Sequence, residues 1–300
     1  MPEPSLFLGV RAEEAPLSRA RVVVIPAPFD QTTSYMPGTR FGPRAILEAS
    51  RQVEFYDEEL DREPYEIGVA TLESIEIEPA DMEAGLRSLE AVAGGVAAQG
   101  KIPLTLGGEH SLTIAPVAAL RERYPGLSVL QLDAHLDLRD SYQGTRLSHA
   151  SVMRRIRDLG IPTVAVGIRA VSREEADYVH AERIPVFLGR EIRRRGLDVD
   201  GILAEVGNPV YITVDLDAFD PAYVPGVGTP EPGGLTWDEG LMLLRAVCER
   251  RQVVGVDVVE LCPIPGQVVS EFFAAKLVHK IIGYLGLSPE QPPGRGRGRA

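Results

Sequence analysis

Ser128-Val129-Leu130-Gln131-Leu132 runs straight into Asp133-Ala134-His135-Leu136-Asp137. The first five residues form a short, mostly apolar run without strict alternation, and the run stops at an aspartate. A strand buried on both faces of a parallel sheet reads this way. Seven further runs share the pattern: Arg21–Ile25, Ile67–Ala70, Ile102–Leu106, Thr163–Val166, Val186–Leu188, Val210–Val214 and Val253–Val258. Most are rich in Val and Ile and end at Gly, Pro or Asp. Helical stretches lie between them. Pro79–Gln99 spaces Met82, Leu86, Leu89, Ala93 and Val96 by three to four residues, and Trp237–Glu249 and Phe272–Leu285 are similar. Strand and helix alternate to the end. The pattern predicts one α/β domain over residues 1–287 around a mostly parallel sheet of about eight strands. The last thirteen residues, Ser288–Ala300, carry Pro, Gly and Arg with almost no apolar side chain, and read as a disordered tail.

In open parallel sheets, ligands bind beyond the carboxyl ends of the strands. The unusual residues of this chain fall there. Gly107-Gly108-Glu109-His110-Ser111 follows Leu106, and Asp133-Ala134-His135-Leu136-Asp137 follows Leu132. Asp215-Leu216-Asp217 follows Val214, and Glu260 follows the last run. If strand geometry persists, the two-residue steps of Asp133, His135 and Asp137, and of Asp215 and Asp217, point each set to one side. Four carboxylates gathered without cations would repel one another and resist ionisation. Bound divalent metal removes the problem. Four Asp and two His are too many ligands for one ion and suit two ions that share carboxylates. Such a pair holds a water as hydroxide at neutral pH. Oxygen-rich ligands with some imidazole favour manganese over zinc, with iron, cobalt and nickel as competitors. A single strand-end Asp is ordinarily a turn residue or helix cap. Three clusters at equivalent places are not explained that way. Asp220-Pro221 is read as a plain turn, His180 as a surface residue and His279 as structural.

Composition bounds the partners. The 300 residues include 31 Lys and Arg against 43 Asp and Glu, a net charge of −12. An acidic chain does not suit general nucleic-acid binding or docking to anionic lipid. Two cysteines cannot build a disulfide scaffold, and they point to a reducing compartment. There is no apolar run of membrane-spanning length and no targeting signal at the start, so a cytoplasmic protein is expected.

Gly-Gly-Glu-His-Ser at 107–111, Asp-Ala-His-Leu-Asp at 133–137 and Asp-Leu-Asp-Ala-Phe-Asp-Pro at 215–221 resemble the three signatures of the ureohydrolases, in order and over nearly the whole chain. This family includes arginase, agmatinase, guanidinobutyrase and formimidoylglutamase. The resemblance implies a three-layer α/β/α fold, two Mn²⁺ per subunit and hydrolysis of a guanidino compound with release of urea. It also implies a homo-oligomer, trimer or hexamer. It assigns His110, Asp133, Asp137 and Asp215 to one ion, and His135, Asp133, Asp215 and Asp217 to the other. Glu260 would hold the substrate guanidinium, and His149 would carry a proton to the leaving amine.

Among these enzymes the chain looks most like agmatinase, through Gly38–Ile46, Ser148–Arg155 and Gly228–Thr236. Agmatine is therefore the expected substrate. Where arginases use an Asn for the substrate's amino-acid head, this chain has Arg139 followed by Asp140. Asp140 is the candidate for attracting a terminal amine. Aminopropylagmatine is an alternative substrate, and so is guanidinobutyrate, whose carboxylate would suit Arg139.

Overall fold

The computed structural model of the protein describes residues 6–10, 15–75 and 81–287; the tail at 288–300 and the start of the helical stretch at Pro79 lie outside the described residues. All eight apolar runs form strands. They are β1 Val22–Ala27, β2 Val69–Thr71, β3 Ile102–Gly107, β4 Ser128–Leu132, β5 Thr163–Ile168, β6 Val186–Leu188, β7 Val210–Asp215 and β8 Val253–Val259. They make one sheet in the order β2-β1-β3-β8-β7-β4-β5-β6, and every pairing is parallel.

The absence of alternation in the strands has a direct cause. Val22 and Val24 of β1 join one core with Leu104, Leu106 and Val256, while Val23 and Ile25 point the other way and pack with Leu89 and Leu112. Each face of the sheet is therefore apolar. Helices cover both faces. Ile46 of α1 (Gly42–Ser50), Leu243 of α8 (Trp237–Arg250) and Leu277 of α9 (Val269–Leu285) belong to the first core. Leu89 and Val96 of α2 (Met82–Ala98) pack in the second, with Ala115 of α3 (Ile114–Arg121). Met153 and Ile156 of α4 (Val152–Asp158) extend that layer beside Val129. Each fully buried Val, Leu or Ile contributes about 1.5–3 kcal/mol over exposure, which makes the three-layer arrangement the stable one for this sequence.

Local chemistry starts the helices. The Asp81 side chain accepts from Ala84 N at the head of α2. Ser172 with Glu175, and Thr236 with Glu239, form capping boxes at α5 (Arg173–Glu182) and α8. Two shorter helices, α6 (Gly189–Arg195) and α7 (Val199–Glu205), complete the set among the described residues.

Strand order is what builds the site. The four strands followed by the unusual residues, β3, β8, β7 and β4, are neighbours at the centre of the sheet. In sequence they are separated by up to 150 residues, as the contact between His110 and Glu260 shows.

Candidate metal centre

His110 opens a 3-10 turn after β3, and its imidazole is buried. Nδ1 lies 3.1 Å from Asp133 Oδ2, 3.0 Å from Asp137 Oδ2 and 3.3 Å from Asp215 Oδ2. None of the three oxygens is aligned for a hydrogen bond, so Nδ1 is a buried nitrogen without a hydrogen-bond partner. Three carboxylate oxygens thus surround this nitrogen, and those of Asp133 and Asp137 form with it a group that fits a cation, while Asp215 lies beside that group. Nε2 is occupied elsewhere: it lies 2.9 Å from Thr213 Oγ1, whose hydroxyl donates to Asp257 Oδ1 at 2.6 Å. Tyr211 OH donates to the other oxygen of Asp257 at 2.7 Å. With the Thr213 proton on Asp257, Nε2–H donates to Thr213, which leaves Nδ1 as the free ligand atom.

His135 faces a second point. Its Nδ1 is 2.9 Å from Asp217 Oδ2 and 3.6 Å from Asp133 Oδ1. Ligand atoms of His110, Asp133 and Asp137, and those of Asp133, His135 and Asp217, form two groups within metal-binding range, with Asp133 common to both. The residues present fit two ions that share a carboxylate. Gln131 Nε2 steadies the shared residue by donating to Asp133 Oδ2 at 2.8 Å.

Convergence does not come from persisting strand geometry. The chain leaves β4 at Leu132, and Asp137 has a left-handed backbone (φ 53°), uncommon for a residue other than glycine. Asp215 ends β7, and its Oδ1 accepts from Asp217 N across a tight turn at 2.9 Å. Loops, not strand pleat, aim these side chains.

The electrostatics follow from burial. Burial raises the Asp137 carboxyl to about 7, and Asp133 adds to the effect. Burial, then Asp217 and Asp133, raise Asp215 far above the carboxylate range. Burial opposes a charge on His110 and His135, but their carboxylate neighbours outweigh it, and His135 rises to about 12. A group of acids that holds protons in this way is one that a divalent cation would discharge.

Glu260 closes the site from β8. It also has a left-handed backbone (φ 66°), and its Oε1 accepts from His110 N at 2.6 Å. Gly228 approaches from the other side, where an added Cβ would lie 3.8 Å from Glu260 Oε2. His149 heads the 3-10 turn before α4 and lines the same cavity of about 350 Å³ as His110, Asp137, Asp217 and Glu260. Burial lowers its imidazole to about 4, and the nearby His110 and His135 push in the same direction.

A model of the arginase family matches residues 20–283. The chain belongs to the arginase family. It is 44% identical over 280 residues to the N(1)-aminopropylagmatine ureohydrolase of a Synechocystis species, spanning 90% of each chain. It is 36% identical over 266 residues to the agmatinase of Pyrococcus horikoshii, covering 88% of this chain and 92% of that one. Its structure superposes on the agmatine ureohydrolase of Thermoplasma volcanium with a TM-score of 0.83 at 34% identity, covering 90% of this chain and 92% of the other. The fold is arginase-like, and the protein is a ureohydrolase of that family.

Other residues fall outside the site. Asp140 is not among the residues that line the cavity of this arginase-family chain; its Oδ1 accepts from Arg155 Nη2 at 2.8 Å and Arg146 Nη2 at 3.1 Å. Those two cations already satisfy it, and they hold its carboxyl below the usual range. A role in attracting a substrate amine therefore does not fit Asp140. Arg139 does line the cavity, with its guanidinium 5.0 Å from the Tyr142 ring. Asp220 accepts from Ala222, Gly233 and Gly234 backbone N–H groups, as a turn residue does. His180 is exposed, and His279 is buried with Nε2 3.1 Å from Phe55 O.

Two site residues were not singled out from sequence. Glu109, wholly buried, accepts from Thr32 N and Oγ1 and from Ser111 Oγ. Arg169, just past β5, donates to the carbonyls of Gly167, Asp217, Ala218, Phe219 and Glu231. It ties the Asp217 turn to the loop that carries Thr229, whose Oγ1 is 3.4 Å from Asp217 Oδ2. A lone cation at the carboxyl end of a buried strand is the signal that marks it.

Proposed function

We propose that this chain releases urea from a linear guanidino amine with the aid of two Mn²⁺ held by His110, Asp133, His135, Asp137, Asp215 and Asp217. The observation that carries the reading is the pair of ligand groups that share Asp133, set in one cavity with Glu260 and His149. Bound divalent ions supply a hydroxide at neutral pH and neutralise the carboxylates. The chain's own residues do the rest. Glu260 presents Oε2 to the guanidinium, because Oε1 is committed to His110 N–H. An ionised oxygen accepting from a guanidinium N–H makes a charge-assisted bond, stronger than a neutral one. Glu260 lines the same cavity as His110, Asp137, Asp215 and Asp217, so a guanidinium held by it would lie beside the ligand cluster. His149, whose imidazole is neutral at rest, relays a proton to the amine nitrogen as its bond to carbon breaks, and the products are urea and the free amine.

The Synechocystis relative is the more similar of the two named above, which favours aminopropylagmatine over agmatine. The same reading places the enzyme in the cytoplasm as a homo-oligomer, a trimer or hexamer, acting on a small molecule and not on nucleic acid. Both cysteines are free, which fits a reducing compartment. No helix among the described residues is long and apolar enough to cross a membrane. Urea release from aminopropylagmatine, agmatine, guanidinobutyrate and arginine, measured side by side with added Mn²⁺, tests the proposal. The expected order has aminopropylagmatine first and arginine last. No urea from any of them, with both metals bound, overturns it.

A further inference from the structure

Thr32 lies in the loop after β1, and its hydroxyl has one proton and two lone pairs. Its backbone N–H donates to Glu109 Oε2 at 2.6 Å, and its Oγ1 lies 2.7 Å from Glu109 Oε1. Ser111 Oγ donates to that same Oε1. At each of these contacts Glu109 meets a donor, so the Thr32 proton points at the carboxylate. The two lone pairs of Oγ1 remain, and both face His149. The backbone N–H of His149 donates to Oγ1 at 3.0 Å, and Nδ1 stands 3.2 Å from it. An oxygen whose only proton is committed can accept from Nδ1 but cannot donate to it. Ser148 Oγ stands farther off, 3.4 Å from Nδ1, and with two lone pairs it can accept from Nδ1–H as well as from Ala150 N. The far nitrogen, Nε2, faces Ser34 Oγ at 3.4 Å, and His149 and Ser34 both line the cavity. The Tyr142 ring meets the imidazole edge-on, with centroids 5.9 Å apart, and limits its rotation.

We infer that Thr32, anchored by Glu109, is a positioning residue that keeps the His149 proton on Nδ1 and turns Nε2 toward the substrate. This rests on the reading of His149 as the proton carrier. The protonated ring gives the Nε2 proton to the leaving nitrogen as the C–N bond breaks. The electron pair of that bond stays on the nitrogen, and Nδ1 keeps its proton throughout. The opposite tautomer would bring the oxygen lone pairs of Thr32 against the bare lone pair of Nδ1. It would also leave no acceptor on the cavity side. A threonine 117 residues from the histidine thus decides which nitrogen does the work.

Two measurements test this. The first is magic-angle-spinning ¹⁵N NMR of the wild-type protein carrying ¹⁵N-histidine and loaded with diamagnetic Zn²⁺. There are five histidines, and the signal missing from His149→Asn identifies the one of interest. The expected neutral form has its proton on Nδ1. A neutral ring protonated on Nε2 overturns the inference without any Thr32 variant. The second compares Thr32→Val with Thr32→Ser in the Mn²⁺ enzyme. Thr32→Val should lower kcat on the order of 100-fold, the low end for loss of acid–base assistance, with KM within about threefold and a mixed tautomer signal. Thr32→Ser should restore both. Wild-type kcat in Thr32→Val, or a loss of kcat with the Nδ1 signal unchanged, overturns the inference. If His149→Asn itself keeps wild-type kcat, the proton-carrier reading fails first, and the two failures are told apart.

Discussion

The cluster around Asp57 and the cluster around Asp133 both place acids at or beneath the surface of one core, with Asp57 buried in the first and Asp133, Asp137, Asp215 and Asp217 buried in the second, yet they are balanced differently. Lys280 Nζ reaches Asp57 Oδ2 at 2.9 Å and Glu59 Oε2 at 3.1 Å. Arg245 Nη1 adds a 2.6 Å contact to Glu59, and Tyr284 OH donates to the same carboxylate at 2.6 Å. Asp57 and Lys280 are almost wholly buried, and their charges cancel within the protein. Asp133, Asp137, Asp215 and Asp217 form no ion pair with Lys or Arg among the described residues; their basic neighbours are two histidines. Only the second cluster needs something from outside. A buried acid paired with a permanent cation supports the fold, and a group of buried acids whose basic neighbours are histidines alone marks a place where a ligand completes the structure.

The difference can be broken from either side. Asp215→Asn should lower urea release by ~10³-fold or more, well beyond the 10–100-fold typical of losing an outer-shell partner, and should abolish paired metal binding by elemental analysis. In the metal-free state the same variant should unfold at a higher temperature than wild type, because it removes a buried acid pressed by Asp217 and Asp133. Two Mn²⁺ bound at wild-type affinity would show that Asp215 is not shared. Lys280→Met should do the reverse. It strands Asp57 without its cation and should cost about 3–5 kcal/mol in denaturant unfolding, while metal stoichiometry and kcat stay at wild-type values.

The smallest effect is a pH dependence. Burial opposes ionisation of Glu59, but hydrogen bonds from Tyr284, Arg245 and Lys280 outweigh it and hold the carboxyl at about 2, below its usual 4.5. A depressed acid contributes stability that is fully present above the unfolded value and is lost as pH falls through the folded one. Glu59→Gln should therefore melt a few degrees below wild type at pH 6. The gap should close between about pH 4.5 and 2. A gap that persists at pH 2 would mean the effect is packing, not charge.

Particular residues show how far the sequence could be read. The eight strands were legible because a two-faced core demands apolar residues at most positions of a short run, without alternation. The residues proposed as ligands stand out in the sequence because each sits within five residues of a strand end. Their aim does not, since it depends on the left-handed backbone of Asp137 and the turn at Asp215. The surroundings of Asp140 are not legible in the sequence, because its partners, Arg146 and Arg155, are ordinary loop and helix cations until the chain is folded.

By itself the sequence determined the alternation of strand and helix, the acidic balance and the set of residues that can hold two metals. These are local properties of composition and spacing. The tertiary structure alone decided that β3, β8, β7 and β4 lie side by side. It also decided that Glu109 holds Thr32 against His149, and that Arg169 ties the Asp217 turn to the loop of Thr229. Those contacts join residues tens to more than a hundred positions apart. No local pattern encodes them, because they exist only when the two faces of the sheet are buried and the strand order is set.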